Sequence, residues 1–375
     1  MQSAIGNRQS AILLITLLAG LATAGEAPPP GFPDVRGIVR ARAKSVVKIE
    51  TTEHFLPGLF RRTVRLANPF PLRSIIGDAL SFTFFLPSAV LGRLRKHVGS
   101  GVIVEADGHV LTNHHVIRDA DEITVRCTDA DGRKRRLKGR VVGKDKLIDA
   151  ALVKAEPGKA RLVTAPLGDS DQLEIGDWVV AIGQPLNLTG TVTVGIVSGR
   201  HRQLDANNIE DYLQIDAAVN PGNSGGPVFD AAGRVVGLVT LGIFPANDLG
   251  FAVPTALIRP WLDDLKTHGR PRRSYLGITV EDITPYLAEE RDLDADDGVL
   301  VTRVRLLSPA GKVGFRRGDI IVSVGGKPVE DARDFQMRIL RARPGTVLPI
   351  TVRRDGEPLT LRPTLSRRRR PFRIF

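Results

Sequence analysis

The chain has 375 residues, a formal net charge of +12, 42% hydrophobic and 25% charged residues. That length leaves room for two or three domains, and the apolar share excludes a disordered chain. The positive charge is spread along the chain, apart from Gly132 to Arg140 ("GRKRRLKGR") and the closing "SRRRRPFRIF", and no recognised nucleic-acid module accompanies it, so no nucleic-acid partner is expected.

In chain order, Arg8 precedes an apolar run from Ala11 to Ala22, followed by the small-x-small site Ala22-Thr23-Ala24. This pattern predicts an export signal over residues 1–24 and a mature chain beginning near Gly25. An uncleaved anchor is the alternative, but the run is shorter than the about 18–20 apolar residues that span a bilayer. No membrane association is expected after cleavage. An N-terminal segment over 25–46 opens on the stiff "APPPGFP", and "VRARAKSVVKIETTE" reads as a short helix running into a strand. The Phe- and Pro-rich stretch of about 52–98 lacks a period and reads as an inserted loop, partly helical near Leu72 to Leu86.

From Gly99 onward, short alternating segments separated by Asp-Gly and Gly-rich turns predict antiparallel barrels, giving a mostly β protein. The sole cysteine, Cys127, excludes an intramolecular disulfide and is expected as a structural strand residue. "PTALIRPWLDDLKTHG" (Pro254 to Gly269) closes this unit as a helix. A polar linker is expected over 266–272, a second small domain of strands and two helices over 273–366, and a basic tail over 367–375.

The chemistry centres on "QIDAAVNPGNSGGPVFD", where Ser224 lies among glycines and prolines. Such a segment reads either as a hairpin turn or as a rigid loop presenting a hydroxyl and nearby N–H groups. A serine nucleophile needs a base and a group to orient that base. Two adjacent histidines, His114 and His115, follow a strand in "VLTNHHVI"; strand alternation would turn them to opposite faces, so one belongs to a site. Asp149, just before the apolar "AALV", is the fitting acid, and Asp145 in the turn-like "GKDK" is its competitor, expected in solvent. The N–H groups of Gly222 and Ser224 can form an oxyanion hole.

"TNHHV", "DAALVK" and "DAAVNPGNSGGPVFD", followed by "GFAVP", strongly resemble the HtrA/Deg serine proteases of the trypsin-like fold. That fold is two six-stranded antiparallel β-barrels, here placed over 47–265. The resemblance makes His115 the general base, Asp149 the orienting acid and Ser224 the nucleophile, with His114 at a variable position. It places the primary pocket near Ala218 and Leu238, Val239 and Thr240, without an acid at its base, which favours small or medium aliphatic residues over lysine or arginine. "YLGI" and "SPAGKVGFRRGDIIVSVGGKPV" resemble a PDZ domain, whose carboxylate-binding loop would be Tyr275, Leu276, Gly277 and Ile278. One PDZ domain stands where the best-known members carry two. The resemblance implies an exported, ATP-independent endopeptidase acting on unfolded or damaged proteins and capturing C-terminal peptides. It further implies a homotrimer or larger assembly, a periplasmic location if the source is Gram-negative, and neither cofactor nor metal. A chaperone or peptide-binding protein with minor or switched proteolysis is the alternative.

Overall fold

The computed structural model describes residues 33–54, 94–184, 190–204, 210–242, 249–290 and 298–367. The expected leader over 1–24, most of the loop expected over 52–98 with its helix near Leu72 to Leu86, and all but the first residue of the tail lie outside these residues.

Asp34 caps the first helix, α1 (Val35–Arg42), its carboxylate accepting from the Gly37 N–H at 2.8 Å. A short 3-10 turn leads into β1 (Val46–His54), the helix-to-strand order expected from sequence. With β2 (Leu94–Ile103), β3 (His109–Thr112), β4 (Glu122–Thr128), β5 (Lys134–Asp145) and β6 (Ala150–Ala155) it closes an antiparallel barrel in the order β1-β2-β3-β6-β5-β4. One helical turn, α2 (His114–Ile117), links β3 to β4. A second closed barrel, ordered β10-β11-β12-β9-β8-β7, comprises β7 (Trp178–Gly183), β8 (Thr191–Arg202), β9 (Tyr212–Ile215), β10 (Pro227–Phe229), β11 (Val235–Gly242) and β12 (Gly250–Pro254).

The periodicity of each strand follows from what lies on its two faces. In β4, Ile123, Val125 and Cys127 point inward while Glu122 and Arg126 face solvent, so the strand alternates. Burial there, and then Asp129, push the Cys127 thiol up to about 11, which leaves it protonated and inert as expected. The run "AALV" of β6 does not alternate because both faces are covered: Ala151 and Val153 fill the first barrel, and Ala150 and Leu152 join a cluster lying between the barrels with Leu111, Val180, Phe229 and Leu238. This shared seam packs one barrel on the other.

After β12, helical turns at Thr255–Ile258 and Arg259–Trp261 lead to α3 (Leu262–His268), which ends on Gly269 in the left-handed region. The segment expected as a polar linker is fastened down. Arg272 donates to Asp264 from its backbone N–H (2.8 Å) and its guanidinium (3.0 Å). Arg273 stacks over Trp261 and forms a buried ion pair with Asp145. Asp145 was expected in solvent; it is 5% exposed, because it ends β5 where Arg273 returns from beyond the second barrel.

The second domain begins with β13 (Ser274–Tyr275), paired with β20 (Ser366–Arg367). Its main sheet runs β14 (Ile278–Asp282), β15 (Val299–Val304), β16 (Ile320–Val324), β18 (Ile350–Arg354), β19 (Glu357–Leu361), with β17 (Lys327–Pro328) paired to β16. Helix α4 (Ala332–Arg341) is amphipathic in two directions. Phe335 and Ile339 enter the core of this domain, while Met337 and Leu340 join the buried cluster of the barrels. Arg333 pairs with Asp211 at 2.6 Å and Arg341 with Asp171 at 2.8 Å across the same contact.

Removing one partner of a buried ion pair leaves a charge without compensation. Arg273→Met is expected to lower unfolding free energy by about 3–5 kcal/mol, read as a fall in the guanidinium chloride midpoint; an unchanged midpoint would assign the pair no net role.

Candidate functional site

The seam between the barrels brings together three loops. His115 lies on α2 just after β3, Asp149 just before β6, and Ser224 just before β10. The two histidines are separated by helical rather than strand geometry. Because α2 starts at His114, successive side chains turn by about 100°, leaving His114 buried at 7% and the His115 side chain 40% exposed. Burial lowers the pKa of the His114 imidazole, so it is neutral at pH 7.

Asp149 organises this turn. Its carbonyl accepts from the His114 N–H (3.2 Å) and from the Asn113 side-chain amide (2.9 Å). Its carboxylate accepts from the His115 backbone N–H (2.8 Å), from His115 Nδ1 (2.6 Å) and from the Thr240 hydroxyl (2.8 Å). These bonds satisfy N–H groups that the first turn of a helix leaves open. They also hold Asp149 at φ +52°, a left-handed conformation that costs a non-glycine residue of order 1–3 kcal/mol. Burial pushes the Asp149 carboxyl up, but the bonds from His115 and Thr240 and the imidazole charge outweigh it and hold the group below its ordinary value. It is therefore an anion at neutral pH, and an anion accepts only. The proton on His115 Nδ1 follows from that partner, leaving Nε2 free to accept.

Ser224 approaches from the other barrel. Its hydroxyl lies 3.3 Å from the Thr240 carbonyl, to which it donates, and its own carbonyl accepts from the Ser100 N–H at 2.8 Å. Gly225, at φ +83°, passes so close to the first barrel that a Cβ would overlap Ser100 O and Thr112 Oγ1. The N–H groups around the hydroxyl divide cleanly: Asn223 donates to Asn220 O (3.0 Å), Gly225 to Val239 O (2.7 Å) and Gly226 to Asn223 O (2.8 Å). Gly222, at φ +100°, and Ser224 keep N–H groups with no partner among the described residues.

Of the residues placed at the substrate pocket, Ala218 is exposed and its carbonyl accepts from the Thr193 hydroxyl at 3.0 Å. Leu238 and Val239 turn their side chains into the seam and the second barrel, so that segment can offer a substrate only its main chain. Thr240 has a part that sequence reading missed: its hydroxyl is a partner of Asp149 and its carbonyl faces Ser224. Nothing in "GLVTLG" distinguishes that threonine from a strand residue. In the second domain, Tyr275 ends β13, Leu276 is buried, Gly277 turns at φ +93° and Ile278 begins β14. The carbonyls of Leu276 and Gly277 accept from the N–H groups of Ala310 (3.0 Å) and Arg305 (2.9 Å), which fixes the loop. Away from these sites, Glu105, Asp107 and His109 cluster on the turn before β3; Lys266 and Lys154 pair with the two carboxylates, and the Lys154 bond and then His109 bring the Asp107 carboxyl down to about 2.

Comparison with known proteins places this geometry. Residues 99–238 match the family profile Trypsin-like peptidase domain, and residues 274–365 match PDZ domain. A periplasmic serine endoprotease of Rhizobium meliloti, named DegP-like, is 38% identical over 274 residues, 72% of this chain; the chain spans about half of that relative's length, 53%. The DegP-like endoprotease of Ectopseudomonas mendocina is 35% identical over 377 residues, covering 95% of this chain and 74% of the relative. Among solved structures, the HtrA-type protease AlgW with a decapeptide is 33% identical with a TM-score of 0.68, covering 90% of this chain and 99% of that one. A serine endoprotease from Yersinia pestis is 30% identical with a TM-score of 0.59, covering 92% and 100%. Two closed barrels with a Ser, His and Asp at their seam, followed by a PDZ domain and matched along nearly the whole described length, establish that the chain belongs to the HtrA-type, DegP-like family of serine endoproteases.

Proposed function

We propose that this chain is an exported, ATP-independent serine endopeptidase that cleaves unfolded or damaged proteins, with Ser224 as nucleophile, His115 as general base and Asp149 as the acid that orients it. The observation that carries this reading is the pairing of the His115 and Asp149 side chains on one barrel and a serine hydroxyl on the other, the two linked through Thr240, beside two N–H groups with no partner among the described residues.

A turn of the Ser224 hydroxyl from the Thr240 carbonyl to His115 Nε2 lets the imidazole take its proton as Oγ attacks the scissile carbonyl. Asp149 stabilises the imidazolium that results. The carbonyl oxygen, now an anion, is received by the Gly222 and Ser224 N–H groups. His115 then protonates the leaving amine, and water hydrolyses the acyl-enzyme by the same route in reverse. The residues placed at the pocket include no acid, which favours substrates with an aliphatic residue before the scissile bond.

The PDZ domain would capture peptides. β14 is an edge strand of its sheet, so an extended peptide can add beside it while Leu276, Gly277 and Ile278 present N–H groups to a terminal carboxylate. The relatives are named periplasmic, and no described helix is long and apolar enough to cross a membrane. Assembly as a homotrimer or larger homo-oligomer rests on likeness to the family.

Incubation of the purified mature protein with a fluorophosphonate tests the nucleophile. Labelling of the wild type and its loss in Ser224→Ala is the expected result; absence of labelling with and without unfolded protein would favour a chaperone or peptide-binding role. Asp149→Asn is expected to lower kcat about 10⁴-fold, since the amide no longer sets the imidazole tautomer or supports its charge.

The same variant reports on stability. The Asp149 carboxyl has a folded pKa below its unfolded value of about 3.9, so its ionised-state contribution is fully present above that pH and is lost as pH falls through the lower, folded value. The difference in melting temperature between wild type and Asp149→Asn is therefore expected to be flat from about pH 8 to pH 5 and to narrow below about pH 4.

A further inference from the structure

Ser100 is the middle residue of Gly-Ser-Gly in β2 and is fully buried. Its hydroxyl, N–H and carbonyl together make four hydrogen bonds. The hydroxyl accepts from the Gln184 N–H (2.9 Å) and donates to the Gly222 carbonyl (2.7 Å). The backbone N–H donates to the Ser224 carbonyl (2.8 Å), and the backbone carbonyl accepts from the Thr112 hydroxyl (2.7 Å). Gln184 is itself anchored, its side-chain amide donating to the Val46 carbonyl at 2.9 Å.

Two of these partners are the carbonyls on either side of Asn223, and the Asn223 carbonyl between them is held by the Gly226 N–H at 2.8 Å. Three successive peptide planes are thus fixed. The N–H and C=O of a trans peptide point in opposite directions, so holding the Asn223 carbonyl aims the Ser224 N–H the other way. The plane between Gly222 and Asn223 is held at one end by the Ser100 hydroxyl and at the other by the Asn220 carbonyl. Gly222 has no side chain to resist rotation, and its φ of +100° lies where glycine moves freely. Without the hydroxyl, that plane is held at one end only and the adjoining Gly222 N–H loses its fixed direction.

From this arrangement we infer that Ser100 is a positioning residue for hydrolysis: by holding the Gly222 and Ser224 carbonyls, in the planes on either side of the one that carries the Ser224 N–H, it fixes the loop that presents the Gly222 and Ser224 N–H groups to the developing oxyanion. The inference rests on the protease reading above and extends it to a residue in the opposite barrel. A serine that merely tied the barrels together would affect stability without separating kcat from KM.

The test compares wild type, Ser100→Ala and Ser100→Cys with a fluorogenic peptide substrate and with a peptidyl boronic acid, whose tetrahedral adduct places an oxygen between the two N–H groups. Ser100→Ala is expected to lower kcat about tenfold or more, as befits loosened rather than deleted donors, with KM and the pH midpoint of kcat/KM unchanged. The boronic acid is expected to bind more weakly by the same factor. Ser100→Cys, close in volume and a weaker donor, should fall between, and it carries the test alone if the alanine variant fails to fold. Variants with wild-type kcat, a loss confined to KM, or unaltered boronic acid binding would overturn the inference. A wild type that fluorophosphonate fails to label would overturn the protease reading itself.

Discussion

Five hydrogen bonds to one residue hold the working part of this molecule together. Asp149 accepts from the backbone of α2, from the Asn113 amide, from the His115 ring and from the Thr240 hydroxyl of the opposite barrel. A closed barrel has no free edge through which to pair with a neighbour. Contact between the two barrels therefore falls to packed side chains at the seam and to polar groups that cross it. The carboxylate provides such a crossing and at the same time fixes the histidine, so the docking of the barrels and the orientation of the His115 imidazole are set by the same group.

The second crossing runs the other way. Ser100 of the first barrel, its carbonyl held by Thr112, bonds the Gly222 and Ser224 carbonyls of the second. Each barrel thus steadies a loop whose chemistry depends on a residue of the other. The PDZ domain is joined to this body in a similar manner, with Met337 and Leu340 entering the barrel cluster and Arg333 and Arg341 pairing at its margin. Helix α4 lines one domain with Phe335 and Ile339 and packs against the other with residues only two positions away or fewer.

How far the sequence could be read depended on the range of the interaction. The strands of the barrels were legible because local alternation, as in "EITVRCT", records which face is wet. The serine loop was legible because its glycines and prolines mark an uncommon backbone path within a few residues. The bonds of Thr240 to Asp149 and of Ser100 to Gly222 were not, since each ties a small polar residue within a strand to a partner that lies far along the chain. The histidine pair was misjudged as strand because the helical turn is held by Asp149, 34 residues beyond His115. Asp145 was misjudged as solvated for the same reason, its partner Arg273 arriving only after both barrels are complete.

Gly225 carries a consequence for how the two halves can be spaced. Where any other residue would put a carbon, the chain puts a hydrogen, directly against Ser100 O and Thr112 Oγ1. At that point the serine loop lies directly against Ser100 and Thr112 of the first barrel, and the seam leaves no room for a side chain. The serine loop is thus seated on the first barrel by its main chain, with no interchangeable part by which that seat could be widened and then restored.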